Sequence, residues 1–323
     1  MSLLILYTGG TIGMMPTEQG LAPSRELVPF LQTLLARELP AQQFDVLCCE
    51  HLIDSSNAAP SDWCAIARIL EQSWHHYTGF VILHGTDTMA YTAAALHTWF
   101  NHHHKPIVVT GSQIPFSQTP SDAQSNLLGA IKAATHPFAG VHLFFDRLLI
   151  SGDRAHKCHT NDWRAFMSVN EPVRAELLDN GLWQQTHLPA PKARLPVAIP
   201  GHIRNDVVTL LPVFPGVTAS HWQGLLGEQV KGAILLSYGA GNIPDQNQAL
   251  VDLIKSAIGR GVVMINITQC QNGAVNSTTY AAGAELIKAG VISGKDMTYE
   301  AAFARLTLML GAGWSAQDIR AEW

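Results

Sequence analysis

Three times in the first 115 residues, a short apolar run ends in glycine and hydroxyl residues and then passes toward a helical pattern. "LLILY" (3–7) leads into "TGGTIG", "GFVIL" (79–83) into "HGTDTM", and "PIVVT" (106–110) into "TGSQIP". Apolar runs of this length bounded by turn residues read as buried strands. Strands that alternate with amphipathic helices build a parallel sheet with helices packed on its faces. The fold class expected is therefore α/β, with a larger N-terminal, doubly wound, mainly parallel sheet. At 323 residues, 47% of them hydrophobic, the chain exceeds the roughly 100–200 residues of one ordinary domain, and two domains are expected.

The helical segments fit that plan. Residues 24–38 predict a helix with Ser24 as its cap and Pro29 weakening its early turns. A second helix is predicted from near Ser61, with Trp63, Ile66, Ala67, Leu70 and Trp74 on one face as core. "AYTAAALHTWF" follows the second glycine turn as a helix. "SDAQSNLLGAIKAA" is expected to start one in which Ser121 and Gln124 form a capping box. Residues 141–150 read as one or two strands. Pro189, Pro191, Pro196 and Pro200 then interrupt the periodicity, so a linker is expected. The boundaries expected are 1–187 for the N-terminal domain, 188–205 for the linker and 206–323 for a smaller, Rossmann-like parallel α/β domain. In that domain "GAILLSYGAGNIP", a helix over "DQNQALVDLIKSAIGRG" and the strand "VVMINIT" make a further βαβ series.

Composition narrows the function. With 20 Lys plus Arg against 25 Asp plus Glu, no basic surface for nucleic acid is expected. No stretch approaches the ~18 apolar residues of a membrane span. The opening run lacks a basic flank and is shorter than a signal peptide's apolar region, so no export signal is expected. Five cysteines without C-x-x-C spacing argue against a disulfide framework or structural zinc. A cytoplasmic enzyme of small molecules is the expectation.

Ligands of open parallel sheets gather beyond the carboxyl ends of the strands. The three glycine turns and the end of "VVMINIT" are thereby candidates to line one rim. Thr8, Thr11, Thr86, Thr88 and Ser112 would bring hydroxyls there and Asp87 a carboxylate. Each turn alone is also an ordinary βα turn. "TGGTIG" is not G-x-G-x-x-G, and no G-K-[ST] occurs, so dinucleotide and phosphate cradles are disfavoured.

Taken together, "TGGTIG", "HGTDTM", "TGSQIP" and the lysine of "GDRAHK", continued by "SYGAGN" and "NITQC", resemble the bacterial-type asparaginase/glutaminase family in its cytoplasmic, type I form. The resemblance spans essentially the whole chain. It implies a cofactor-free amidohydrolase that converts L-asparagine to L-aspartate and ammonia through a threonyl acyl-enzyme. Thr11 matches the primary nucleophile; Thr86, Asp87 and Lys157 match the second catalytic triad. Ser55 matches the residue holding the substrate α-carboxylate, and Asp87 would also receive the α-ammonium. Gly10, Gly85, Ser56 and the backbone around Ser112 complete the pocket. The resemblance further implies a homodimer or homotetramer in which Asn242 reaches the site of a partner subunit.

The residue types suit the chemistry. An amide is a poor electrophile, and a hydroxyl nucleophile splits its hydrolysis into two easier steps. An ordinary lysine loses its proton only near pH ~10.4, and a carboxylate beside it favours the ammonium. The threonine, lysine and aspartate therefore form a coupled proton network. One departure stands out: Leu21 occupies the position after the first turn where the family commonly carries a tyrosine. That departure motivates a rival class, a substrate-binding module without turnover. A transfer-RNA amidotransferase subunit shares the motifs but usually adds an N-terminal domain, so it is disfavoured. A metal hydrolase using His97, His102, His103, His104, His156 and His159 ranks last, because no metal-ligand spacing accompanies them. Cys270 suits a regulatory asparagine site, whereas Leu236 stands where an arginine is often found.

Overall fold

The computed structural model describes residues 2–18, 20–186, 196–276 and 281–323. The chain divides into two compact units, Met1–Ala193 and Arg194–Trp323; residues 188–195 of the expected linker lie outside the described residues.

The first unit is built on an eight-stranded sheet. Five strands run parallel in the spatial order Gln43–Ile53, Ser2–Gly9, Gly79–Leu83, Pro106–Thr110, Gly140–Phe145. Leu148–Ser151, Ala175–Leu177 and Trp183–Gln185 then extend the sheet antiparallel. The chain turns between Phe145 and Leu148 through Asp146 and Arg147, both at positive φ. Numbered along the chain, the parallel order is 2-1-3-4-5. Its switch point, where ligands enter such sheets, lies between Ser2–Gly9 and Gly79–Leu83.

The apolar runs form strands because both faces are covered. Leu3, Ile5, Tyr7, Val81 and Leu83 share one core cluster with Leu31 and Leu35 of helix Leu27–Glu38 and with Leu127 and Ile131 of helix Ala123–Thr135. The intervening Leu4, Leu6, Phe80 and Ile82 are equally buried and by the pleat face the other side. Each such side chain contributes about 1.5–3 kcal/mol on burial. Helix Pro60–Ser73 buries Trp63, Ile66, Ala67 and Leu70 as the periodicity predicts, while Trp74 stacks between Phe80 and Phe100.

Two helix starts differ from expectation. Helix Leu27–Glu38 begins after Glu26, and the Ser24 hydroxyl instead accepts from the Glu26 amide. Pro29 falls in the first turn, where its missing N–H removes no helical bond. At Ala123–Thr135 the capping box is absent: Ser121 Oγ accepts from the Ala123 amide and donates to the Ile114 carbonyl. In both places a serine prefers a tight local turn to a cap.

The second unit holds a four-stranded parallel sheet in chain order, Val208–Pro212, Gly232–Ser237, Val263–Thr268 and Ile292–Ser293. Helix Gln248–Gly259 is capped by the Asn247 side chain and ends before Gly261, at φ 92°. The end of "VVMINIT" therefore belongs to the sheet of the second unit and not to the sheet that bears the three glycine turns.

Candidate active site

The first turn requires glycine. Gly9 and Gly10 have φ of 127° and 84°, a region that side-chain-bearing residues avoid. The Gly10 amide donates to the Ile53 carbonyl at 2.9 Å, and a Cβ on Gly10 would stand 2.2 Å from the Gly85 nitrogen. The turns at the ends of the two strands flanking the switch point thus touch backbone to backbone. Thr11, half-buried, opens a single 3-10 turn, Thr11–Gly13, beside that contact.

Ser55 lies against the second turn. It opens another 3-10 turn, Ser55–Asn57, which Asp54 caps by accepting from the Ser56 amide. Ser55 Oγ is buried and accepts from the Asp87 amide at 3.3 Å, and its carbonyl accepts from the Thr88 hydroxyl at 2.8 Å. A Cβ on Gly85 would lie 2.4 Å from Ser55 Oγ, so glycine is the residue that fits there.

Lys157 arrives on a separate two-stranded ribbon, Ala155–Lys157 paired with Phe166–Ser168. Its Nζ donates to Thr86 Oγ1 at 2.9 Å and to Asp87 Oδ1 at 2.7 Å. The Asp87 side chain is 58% exposed against 21% for Lys157. At that exposure the pair adds little to stability; what it does is bring a cation, a hydroxyl and a carboxylate to one point.

Beneath the turns, His84 is fully enclosed and burial holds its pKa below the ordinary imidazole value. Its Nδ1 donates to the Gly85 carbonyl at 2.8 Å, which leaves Nε2 to accept from the Thr92 hydroxyl at 3.0 Å. His84 therefore braces the second turn as a neutral imidazole. The third turn is held by the Asp122 carboxylate, which accepts from the Gln113 and Ile114 amides and from Asn126 Nδ2.

The structure brings together Thr86, Asp87, Lys157, Ser55, Gly85 and Gly10. Ser56 is exposed on the adjoining 3-10 turn. The Ser112 hydroxyl donates to the Ile114 carbonyl, and the residue as a whole is buried. Asn242 belongs to the second unit, where it exchanges backbone hydrogen bonds with Tyr238. The sequence reading missed Gln113 and Asp122. Gln113 accepts from Thr86 Oγ1 at 3.4 Å and donates to the Thr160 and Asp162 carbonyls, each at 3.0 Å; its place inside "TGSQIP" was the available signal.

Two family models match the chain, one in each half. The model of the asparaginase N-terminal family matches residues 2–189, and that of the glutaminase/asparaginase C-terminal domain matches residues 207–322. The chain belongs to the asparaginase family. It is 40% identical to L-asparaginase 1 of Escherichia coli (strain K12) over 99% of this chain and 94% of that one. The thermostable L-asparaginase from Thermococcus kodakarensis has the same fold, with a TM-score of 0.88 and 31% identity over 99% of this chain and 96% of that one. The L-asparaginase I structure from Vibrio cholerae aligns with a TM-score of 0.83 and 37% identity over 99% and 95%.

Within this asparaginase-family chain, the segment after the first turn forms a hairpin, Met14–Thr17 with Gly20–Pro23, in which Leu21 pairs with Pro16 and is 44% exposed. Among the described residues no cluster of three or more His, Cys, Asp or Glu could hold a metal ion. The His102 and His103 rings lie 4.1 Å apart, with His103 against Trp74, and His159 Nδ1 accepts from the Asp162 amide. Among the described residues no helix is long and apolar enough to cross a membrane.

Proposed function

We propose that this protein hydrolyses L-asparagine to L-aspartate and ammonia through a threonyl acyl-enzyme. The observation that carries the reading is the Lys157 ammonium resting on both Thr86 Oγ1 and Asp87 Oδ1, at the switch point where Thr11 follows Gly10. Thr11 Oγ attacks the side-chain amide carbon; the C–N bond breaks, and the hydroxyl proton leaves with ammonia. Water then attacks the ester, its proton returning to Thr11 Oγ as the acid is released.

The surrounding groups suit this substrate. Ser55 accepts one hydrogen bond from the Asp87 amide and keeps its own O–H for the α-carboxylate. Asp87 uses Oδ1 for Lys157 and has its second oxygen for the α-ammonium. The Gly10 amide is committed to Ile53, so donation to the oxyanion falls to other amides of the two touching turns. This chemistry uses no cofactor, and the family resemblance carries with it a cytoplasmic homo-oligomer in which Asn242 completes a partner's site.

The test is ammonia release from L-asparagine by purified protein, with Thr11→Ala alongside. Turnover lost in the variant supports the assignment and shows that Leu21 is tolerated. A folded wild type that binds L-asparagine without releasing ammonia would replace the reading with a binding module.

A further inference from the structure

Gln113 has the geometry of a proton director for the triad. The oxygen and nitrogen of a side-chain amide are commonly exchanged by a flip, but here the flip is blocked. Gln113 Nε2 faces two carbonyls, Thr160 and Asp162, both at 3.0 Å; an oxygen turned toward them would meet two acceptors and no donor. The end that faces Thr86 is therefore the carbonyl, which can only accept. Lys157 as an ammonium can only donate. Thr86 Oγ1 stands between these two, 2.9 Å from the first donor and 3.4 Å from the acceptor. Its lone pair is aimed at Lys157 and its proton at Gln113.

We infer that Gln113 holds the Thr86 proton away from Lys157 and so sets the pH at which the triad can begin proton transfer. For Lys157 to take the Thr86 proton, it must first lose its own, and the Thr86 O–H must swing from Gln113 to Nζ. With the proton on the Gln113 side, the Thr86 lone pair stays turned to the Lys157 Nζ. The 3.4 Å separation is long for an O–H···O bond, so the bias is a modest one, suited to tuning. Gln113 acts through the Thr86 hydroxyl and is a positioning residue. It is held firmly enough for that task, because its own amide N–H is fixed by the Asp122 carboxylate. Among the described residues the charged group paired with Lys157 is Asp87 on the second turn; His156 and Cys158 flank it in the chain, its strand partner Phe166 carries no charge, and helix Met89–Phe100, which packs on its strand, carries Tyr91 and His97.

The inference rests on the proposed hydrolysis for its kinetic readout, and two variants with opposite effects test it. Gln113→Met removes the acceptor, and Gln113→Glu replaces it with a stronger, charged one. The acid limb of the kcat/KM profile for L-asparagine is expected to move toward lower pH in Gln113→Met and toward higher pH in Gln113→Glu. About half a pH unit each way is expected, or roughly threefold in rate at a fixed pH on the limb. A purely structural role would lower the rate in both variants and leave the limb in place, which would overturn the inference. The second readout needs no turnover: the pH midpoint for acylation of Lys157 by a water-soluble amine reagent, followed by peptide mass spectrometry. If the wild type releases no ammonia, the hydrolase reading fails. Opposite displacements of the acylation midpoint would then still support the role of Gln113, and coincident midpoints in folded variants would overturn it.

Discussion

Gly10 and Gly85 approach so closely that a methyl group on the first would overlap the backbone nitrogen of the second, 2.2 Å away. Two turns 75 positions apart in sequence are thereby brought into direct backbone contact. Gly10→Ala is expected to lower ammonia release at least about 100-fold, since small displacements of a reacting group cost that much. It should also destabilise the protein by more than about 2 kcal/mol, from left-handed strain plus the overlap. Gly216 is a matched control: its φ is 85°, but nothing lies within 4 Å of an added Cβ. Gly216→Ala should lose only about 1–2 kcal/mol from strain and keep full activity, as urea denaturation and the ammonia assay will show.

In the proposed reaction Ser55 serves binding more than chemistry. Ser55→Ala should raise KM for L-asparagine about tenfold, equivalent to one lost hydrogen bond to a charged group, with a smaller change in kcat. Steady-state kinetics resolve the two. A fall in kcat with KM unchanged would assign Ser55 to the transition state instead.

Asp122 is 3% exposed and serves three donors around the third turn. Asp122→Ala would leave one buried and two part-buried N–H groups without this acceptor, a loss of about 3 kcal/mol. A clear drop in Tm is expected, together with weaker activity through displacement of Gln113. Unchanged Tm would mean that water replaces the carboxylate at no cost.

His142 gives stability a pH dependence with a definite sign. It is buried in the strand Gly140–Phe145, with Nε2 donating to the Ala139 carbonyl at 3.1 Å. Burial, reinforced by nearby Arg174 and His97, pushes its pKa down to about 4. The unfolded chain binds this proton near pH ~6.5, so between there and about pH 4 the unfolded state holds more protons. The stabilisation is complete above pH ~6.5 and is lost as pH falls through that window. By pH 5 the wild type should have lost about 2 kcal/mol more than His142→Gln, whose amide keeps the donor to Ala139. Denaturant melts at pH 7.5 and pH 5 will show it.

Much of the scaffold was readable because local pattern and tertiary role agree. "GFVIL" and "PIVVT" are buried at every residue, and a run of that length between turn residues has few other uses. The helix caps misled because Ser24 and Ser121 each satisfy a neighbouring amide through a tight turn, a choice that depends on where the chain must go next. The three-residue strands Ala175–Leu177 and Trp183–Gln185 are too short to show a period. Helix Tyr299–Gly311 is buried on nearly every side, Glu300 and Arg305 included, so it lacks the polar face that marks a surface helix. In the site, Thr86, Asp87 and Lys157 were legible from strings that resemble a known family. Gln113 and Asp122 were not, because Gln113 meets partners 9 to 49 positions away and only the folded sheet brings them near.

The spatial order 2-1-3-4-5 also makes the enzyme a witness to its own assembly. Thr11, Ser55, Thr86, Gln113 and Lys157 sit on five segments that no helix or hairpin can gather by itself. Their meeting requires the first strand to be inserted between its two parallel neighbours, a pairing that spans dozens of residues on either side and is slow to form compared with helices. During refolding, helical signal should therefore return before ammonia release does, and the delay between them times the closing of the central strand.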